Sequence, residues 1–338
     1  MKIKIGDITK IRTGKLDANA ADENGQYPFF TCSKEPLKIN TYSYDCECVL
    51  VAGNGDLNVK YYNGKFDAYQ RTYIIEDDSD GLLFMPYLYF FMESYIDELR
   101  KQSIGGVIKY IKLKNLTDAL IELPSIEVQR KIVNIISKSK EIVRRKENEF
   151  ELLDELVRAR FVEMFGEIED CDKWESKIWN EVVTIKNGRD YKKVLVSDGG
   201  YPVVGTGGEI ARASKYLCPE NTIVVGRKGS INNPMLMKEK FWNVDTAFGV
   251  IPNSDYLHYQ YFYCFCKFYN FMKLNKATTL PSTTKADLLK IRINIPPLEL
   301  QNQFASFVQE IDKSRSRIQK SLEASQELFD SLMQEYFG

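Results

Sequence analysis

The segment IELPSIEVQRKI, which begins at Ile121, recurs at Ile293 as INIPPLELQNQF. From these two points the chain aligns with itself without a gap, at a constant offset of 172 residues. The alignment runs to FVEMFG, ending at Gly166, and to MQEYFG, ending at Gly338. Eleven of the 46 paired positions are identical, and they reach both ends of the segment. The chain therefore contains an internal repeat.

The sequences that precede the two segments match more loosely, with small insertions. The matching stretches are 25–28 with 199–202, 49–58 with 223–232, 66–75 with 241–251, and 106–116 with 278–288. The repeat thus predicts four parts in order: a first domain over 1–123, a long helix over 124–166, a second domain over 167–295 and a second long helix over 296–338.

Within each domain, short β-branched or aromatic runs bounded by Gly, Asn and Asp predict strands joined by turns. These runs are VLVA (49–52), TYIIE (72–76), TIVV (222–225) and FGVI (248–251). The apolar stretches 82–103 and 257–275 predict helices. We therefore expect an α+β fold in which each mixed α/β domain has a largely antiparallel sheet with flanking helices.

The two conserved segments predict long helices with a coiled-coil pattern. Apolar residues recur every seven positions, and proline lies near both starts and glycine at both ends. A helix over 126–165 would be about 60 Å long, too long to be the buried face of one small domain. At some heptad positions one helix has a polar residue where the other has an apolar one. Ser139 corresponds to Ile311, and Lys146 corresponds to Ile318. We expect the helices to pair antiparallel within the chain, with a domain at each end and approximate two-fold symmetry.

Composition excludes several classes of protein. The net charge is −1, but residues 167–296 carry 18 basic and 14 acidic side chains, so only the second domain is basic overall. The sequence has no run of 18 apolar residues and no signal-peptide pattern at its start, which predicts a cytoplasmic protein. Seven cysteines in part arranged as C-x-C, with His258 as the single histidine, favour reduced thiols over a zinc site.

Catalytic motifs are missing from the sequence. Asn294-Ile-Pro-Pro and Asn233-Pro234-Met do not fit the motif of an amino-methyltransferase, and Gly14-Lys15-Leu16 does not fit a P-loop. Asp170, Asp172 and Glu175-Ser-Lys177 have the residue types of a nuclease but are typical of an acidic linker. A nucleophile paired with histidine would depend on His258 alone. No metal site and no cofactor are expected on this chain.

The remaining polar and basic residues gather in loops at matching places of both domains, which favours a shared binding surface. Such side chains contact phosphates and base edges, although Gly, Asn and Asp also close turns. The candidate DNA-binding residues are Asn54, Asp56, Asn58, Lys109, Lys112, Arg189, Arg227, Lys228, Ser230, Asn232, Thr278, Thr279, Ser282, Thr283 and Lys285.

On this architecture the chain resembles the specificity subunits of type I restriction-modification systems. The resemblance covers nearly the whole chain and depends on the IELPSIEVQ and INIPPLELQ joints and on YPVVGTGG, VVGRKGSIN and TTLPSTTKADL. The first domain departs from the family pattern at FFTCSKE (29–35) and VIKYIKL (107–113).

The resemblance implies a non-catalytic subunit whose two target-recognition domains each read one half of a split duplex DNA site. It also implies that the helices set the spacing and dock two methyltransferase subunits, with restriction or translocase subunits as further partners. S-adenosylmethionine, ATP and magnesium would then be bound by those partners.

Two other functions remain open. The recognition subunit of a two-component type II restriction enzyme would differ in its partner but not in the role of this chain. A scaffold protein, whose coiled coil joins two protein-binding domains, is favoured by the weak overall charge and opposed by the loop chemistry.

Overall fold

The computed structural model of the chain describes residues 2–168, 173–275 and 281–338. It divides into two compact units, one formed by residues 1–147 with 320–338 and the other by residues 148–319. Each unit contains one repeated domain and a part of both long helices. The two units are therefore described one after the other.

The first unit contains the first eight strands and the first two helices, and the long helix α3 begins in it. In chain order these elements are β1 (Lys2–Lys4), β2 (Thr9–Thr13), β3 (Tyr27–Phe30), β4 (Leu37–Ile39), β5 (Tyr44–Ala52), β6 (Val59–Ala68), β7 (Thr72–Asp77), α1 (Met85–Gln102), α2 (Leu113–Thr117), β8 (Leu120–Glu122) and α3 (Ile126–Phe165).

The core of the first unit lies between a sheet and α1. The sheet has the strand order β2-β7-β5-β6-β3-β4, and its neighbours are antiparallel except β3 and β6, which run parallel. Val49 and Val51 of β5 alternate along the strand onto the face that α1 covers, where they share a core with Leu88 and Met92. The predicted strands over 49–52 and 72–76 lie in β5 and β7, and the predicted helix over 82–103 is α1.

The second unit repeats this arrangement with a divided sheet. Its elements are β9 (Ser176–Ile178), α4 (Trp179–Val182), β10 (Val183–Asn187), β11 (Leu195–Val196), β12 (Tyr201–Gly205), β13 (Gly208–Ala213), β14 (Thr222–Gly226), β15 (Met235–Met237), β16 (Trp242–Asn243), β17 (Ala247–Pro252), α5 (Tyr259–Phe268), α6 (Lys285–Leu288), β18 (Arg292–Asn294) and α7 (Leu298–Phe337), which continues into the first unit.

The division of the sheet follows from one broken strand. The single strand β6 of the first unit corresponds to β15 and β16, which are separated by residues 238–241. The strand orders are accordingly β10-β17-β14-β15 and β11-β13-β12-β16. The parallel pair recurs as β12 with β16, so the two domains share their topology apart from the additional edge strand β11 of the second. The predicted strands over 222–225 and 248–251 lie in β14 and β17.

One predicted helix is shorter than expected. In the stretch 257–275, α5 ends at Phe268, and a separate 3₁₀ helix covers Phe271–Leu274. The side-chain Oδ1 of Asn270 accepts a hydrogen bond from the backbone N–H of Met272 at 3.0 Å. An asparagine in this position starts a new turn of helix rather than continuing the old one.

Both long helices have the lengths that the repeat predicts. α3 covers 126–165 as expected, and α7 begins directly after Pro296 and Pro297. Gly166 follows α3 with a φ of 87°, a left-handed conformation that glycine adopts without strain, and its N–H donates to the carbonyl of Val162. None of the helices in the three described ranges is long and apolar enough to cross a membrane.

The two long helices pack against each other in antiparallel orientation, as the heptad pattern predicts. In the first unit, Ile132 and Ile136 near the start of α3 share a core with Met333 and Tyr336 near the end of α7. In the second unit the end of α3 meets the start of α7. There the rings of Phe161 and Phe304 make an edge-to-face contact, with centroids 5.6 Å apart. The two helices therefore run in opposite directions.

Candidate nucleic-acid interface

Each unit brings together two loops that are far apart in sequence. We call residues 53–58 and 227–232 the glycine loops, and residues 104–112 and 281–285 the lysine loops. In the first unit, Asn54 of the glycine loop forms an antiparallel bridge with Tyr110 of the lysine loop. In the second unit, Lys228 and Ser282 form the same bridge. The two loops of each unit therefore make one continuous surface.

The hydrogen bonds of this bridge repeat almost atom for atom. In the first unit Gly55 N–H donates to the carbonyl of Lys109 at 3.0 Å, and the corresponding donor and acceptor in the second unit are Gly229 and Pro281 at 2.9 Å. A second bond leads from the lysine loop back to the glycine loop, from Thr283 N–H to the carbonyl of Arg227 at 3.0 Å. Its counterpart in the first unit joins Ile111 N–H and the carbonyl of Gly53 at 2.9 Å. The loose sequence match of these loops thus reflects a shared structure.

In the second unit the two loops form the wall of a cleft. Three of its lining residues are cationic: Arg227, Lys228 and Lys285. Asn187, at the end of β10, and Ser282 add polar groups to the same cleft. Arg227 and Lys228 are exposed, so their cationic groups can reach a ligand in solvent. Cations and hydroxyl or amide groups in one cleft form the combination that contacts phosphate oxygens and base edges.

The predicted residues differ in how accessible they are. Asp56, Lys109, Lys112, Arg189, Arg227, Lys228, Ser230, Asn232 and Lys285 are exposed, whereas Asn54, Asn58 and Ser282 are half-buried. Thr278 and Thr279 lie outside the described residues. The accessible predicted residues occur in both units, on the glycine and lysine loops and at the end of β10.

Three of the predicted residues hold the loops in place. Thr283 is 3% exposed, and its hydroxyl donates to the carbonyl of Gly226 at 2.9 Å. Asn58 donates from Nδ2 to the carbonyl of Cys32 at 2.8 Å, while Oδ1 of Asn232 accepts from the N–H of Phe271 at 2.7 Å. The sequence pattern assigned these side chains to DNA. These bonds to the backbone also give the three side chains a role in loop shape, which is the turn chemistry considered as the alternative, and their contact with DNA stays a prediction.

Two candidate contact residues, Lys15 and Asn187, were missed by sequence analysis. Lys15 is exposed just after β2, at the place that the predicted residue Arg189 occupies after β10. In both copies the preceding glycine leaves no room for a side chain, since a Cβ would collide with the carbonyl of Ala68 or of Val244. The signal was present in the sequence as IRTGK (11–15) and IKNGR (185–189), and it also identifies Asn187.

An identical glutamine attaches each domain to its long helix. Gln301 is fully buried; its Oε1 accepts from the N–H of His258 at 2.8 Å, and its Nε2 donates to the carbonyls of Tyr256 and Pro296 at 2.9 and 2.8 Å. Gln129 makes the same three bonds in the first unit, to Phe84 N–H and to the carbonyls of Leu82 and Pro124. The repeat thus preserves the joint between domain and helix.

An ion pair joins the two long helices in the second unit. Arg315 interrupts the heptad series of α7, and its guanidinium lies 2.6 Å from a carboxylate oxygen of Asp154 in α3. Lys267 of α5 contacts the same oxygen at 3.0 Å. Partial burial raises the pKa of Asp154, but the hydrogen bonds from Lys267 and Arg315 outweigh it and leave the pKa below its ordinary value. The charged interruption in the apolar pattern is therefore a specific contact.

The residues considered for catalysis have structural roles where they are described. Nδ1 of His258 accepts from Gln260 N–H at 3.1 Å at the start of α5, and burial lowers the pKa of the imidazole. Glu175 and Lys177 form an ion pair of 2.7 Å, whereas Asp170 and Asp172 lie outside the described residues. Over the described ranges, no three His, Cys, Asp or Glu side chains are grouped as a metal site.

Comparisons with known proteins agree with this architecture. The family model described as type I restriction modification DNA specificity domain matches residues 1–152 and again residues 171–326. The specificity subunit of the type I restriction enzyme EcoDI from Escherichia coli is 45% identical over 123 residues, which are 36% of this chain and 27% of that relative. The match thus spans about a quarter of that relative's length.

Two further similarities extend over nearly the whole chain. The specificity subunit of the type I restriction enzyme MjaVIII from Methanocaldococcus jannaschii is 22% identical over 94% of this chain and 89% of that protein. A similar solved structure is the crystal structure of the S subunit of a type I restriction-modification system from M. genitalium. The superposition covers 100% of this chain and 96% of that chain, with a TM-score of 0.69 and 16% identity, so the two chains share a fold. With the domain model matching twice, this chain belongs to the family of type I restriction-modification DNA specificity subunits, whose members are non-catalytic.

Proposed function

We propose that this chain selects the DNA sequence on which a restriction-modification complex acts, and that each unit reads one part of a two-part duplex site. The observation that carries the proposal is the bridge between glycine loop and lysine loop, which occurs twice with the same hydrogen bonds. A loop pair held in the same way in both domains provides one recognition surface in each.

The side chains on the two surfaces support different half-sites. At matching positions of the glycine loops, the first unit has Asn54 and Asp56 where the second has Lys228 and Ser230. An amide and a carboxylate select different base edges from an ammonium and a hydroxyl, because adenine, cytosine and guanine present different donors and acceptors in the major groove. Asp56 lies 3.3 Å from Arg100, which reduces its repulsion of phosphates.

Binding energy would come mainly from cations around these loops. Lys15, Lys109 and Lys112 of the first unit and Arg189, Arg227, Lys228 and Lys285 of the second are exposed. Lys285 also donates to the carbonyl of Ile185 at 2.8 Å, which holds its ammonium against β10 in the lining of the cleft. Contacts of this type position a protein on the phosphate backbone, and base contacts then select the sequence.

The chemistry of the complex is assigned to partner subunits. In this proposal the paired helices α3 and α7 dock two methyltransferase subunits, and restriction or translocase subunits join the assembly. S-adenosylmethionine, ATP and magnesium are bound by those subunits. An adenine to be methylated is flipped out of the duplex into the partner's pocket, with contacts from this chain offsetting part of the cost of unstacking. A cytoplasmic location remains a prediction that accompanies this role.

The proposal is tested with the chain reconstituted with its methyltransferase subunits. Duplexes selected from a random library, at a stated salt concentration because phosphate contacts make affinity salt-dependent, give the preferred site, and mapping methylated adenines gives its two parts. We expect Arg227→Ala and Lys228→Ala to weaken or relax one part of the site, and Asn54→Ala to affect the other. Lys290→Ala, which removes an exposed charge elsewhere in the second unit, is the matched control.

Two outcomes would contradict the proposal. A complex without sequence preference would leave the scaffold function as the better explanation. Equal losses in both parts of the site for Arg227→Ala would contradict the assignment of one half-site to each unit. A preferred site that is cut on both sides would keep the role of this chain but identify its partner as that of a two-component type II enzyme.

A further inference from the structure

The lysine loop of the first unit contains a hairpin that ends in a tight tip. Ile104 and Tyr110 exchange both backbone hydrogen bonds of an antiparallel pair, at 3.0 and 2.9 Å, and residues 105–109 form the tip between them. Gly105 has a φ of 117°, and a Cβ there would lie 2.6 Å from the carbonyl oxygen of Ile108. The tip can close this tightly only because residue 105 is glycine.

The tip presents apolar side chains to solvent. Val107 is fully exposed, and Ile108 is 63% exposed. Ile104, Tyr110 and Leu113 on the same loop and directly after it are also among the exposed large apolar residues. Single exposed apolar residues are common, but a cluster at the end of a defined hairpin is typical of a contact site for a ligand.

The surroundings of the tip favour DNA over a protein as that ligand. Lys109, Lys112 and Lys114 are exposed beside it, and residues 103–117 contain no acidic side chain. The hairpin is bonded to the glycine loop, because the N–H of Gly55, next to Asn54, donates to the carbonyl of Lys109. An apolar tip flanked by three ammonium groups suits a polyanion that also exposes apolar groups, because the lysines can bind the phosphates on either side.

The dimensions and base edges of B-form DNA indicate which groove and which chemical group this hairpin can contact. A two-stranded ribbon fits the major groove of B-form DNA, which is about 12 Å wide, but not the minor groove, which is about 6 Å wide. The apolar group that base pairs present in the major groove is the C5-methyl of thymine. We infer that the hairpin 104–110 enters the major groove and that Val107 and Ile108 pack against thymine methyl groups.

This inference depends on the proposed function and adds to it a prediction about the DNA sequence. The part of the site that the first unit reads contains at least one thymine whose methyl group contributes to binding. Each methyl that is buried against an aliphatic side chain strengthens binding about fourfold, the value expected for one apolar carbon removed from water.

The test is a cycle of protein and DNA changes in the reconstituted complex with its methyltransferase subunits. Each thymine of the first unit's half-site is replaced in turn by deoxyuridine, which lacks only the methyl group. We expect a loss of about fourfold per contacted methyl for the natural chain. The variant Val107→Ser/Ile108→Ser should bind thymine DNA as weakly as the natural chain binds uracil DNA, and should lose nothing more on uracil DNA. Leu120→Ser, which removes another exposed apolar side chain of the first unit, is the matched control.

Several results would overturn the inference. A half-site without thymine, or one in which uracil binds as tightly as thymine, would exclude methyl contacts while leaving sequence selection by the chain intact. If Val107→Ser/Ile108→Ser instead prevented assembly with the methyltransferase subunits in the absence of DNA, the tip would be a protein-docking site. A complex without any sequence preference would overturn the proposed function as well, and is recognised before any uracil is introduced.

Discussion

Replacing Gln301 by leucine tests how the second domain is attached to α7. The substitution keeps a side chain of similar size but removes one acceptor and two donated hydrogen bonds, all between 2.8 and 2.9 Å. The backbone N–H of His258 and the carbonyls of Tyr256 and Pro296 would then be left buried without these partners. Each unsatisfied buried group costs about 1–3 kcal/mol, so the variant should lose about 3–5 kcal/mol of unfolding free energy.

The unfolding of the second unit can be followed separately. The three tryptophans of the chain, at positions 174, 179 and 242, all lie in residues 148–319. With a urea dependence of about 2 kcal/mol per molar, a loss of this size lowers the midpoint of the tryptophan fluorescence transition by about 2 M. Gln129→Leu makes the same change in the first unit, and should lower the transition of helical circular dichroism more than that of tryptophan fluorescence.

A control variant sets the scale of this experiment. Ser306 is exposed on the turn of α7 that follows Gln301, and Ser306→Ala should change the free energy of unfolding by less than about 0.5 kcal/mol. If Gln301→Leu lowered the stability of the second unit by less than about 1 kcal/mol, the three buried hydrogen bonds would not be what holds the domain to the helix.

Three further predictions concern the ion pair, the thiols and the helices. Because the pKa of Asp154 is lowered in the folded chain, the carboxylate stabilises the second unit above the ordinary aspartate pKa of 3.8. This stabilisation is lost as the pH falls through the lower folded pKa. Acid titration of tryptophan fluorescence should show the loss, and Asp154→Asn should abolish it. Burial raises the pKa of Cys218 to about 11 and that of Cys264 to about 12. Both thiols should therefore stay unreactive towards a disulfide reagent at pH 8 until the chain unfolds. Rapid modification of either thiol in the native chain, detected by mass spectrometry, would contradict their burial. Inserting about four residues at facing positions of both α3 and α7 lengthens the helix pair by about 6 Å. This should add about two base pairs between the half-sites without altering either half-site. A changed half-site with an unchanged spacer would refute this role of the helices.

Much of the fold could be predicted because its signals are local. The heptad pattern, the prolines before Leu298 and the glycine after Phe165 define the long helices within a few residues. Interactions between neighbours in sequence decide these features, so one sequence is enough to read them. The interruption of the predicted helix after Phe268 shows the limit, since apolar periodicity continues where Asn270 starts a new turn.

The candidate site was only partly predictable because its contacts are not local. Thr283 and Lys285 look alike in sequence as polar residues of one loop, yet one is buried against Gly226 and the other is exposed. Which of them points inward depends on a strand about 60 residues earlier in the chain. Lys15 was missed for a related reason, since its place after β2 is set by the pairing of β2 with β7 and by its backbone hydrogen bond to Ala68, not by its neighbours in sequence.

The order of residues alone identifies the chain as a repeat of one domain and one long helix, because matching positions and heptad spacing can be read from one sequence. It also determined the antiparallel pairing of the helices, since a folded domain separates two seams that complement each other. The three-dimensional structure was needed to show that residues 54 and 110, and equally 228 and 282, meet in a shared bridge, and that Gln129 and Gln301 bind each domain to its helix. The physical reason is that a hydrogen bond between distant segments depends on the path of the whole chain between them, which no local pattern encodes.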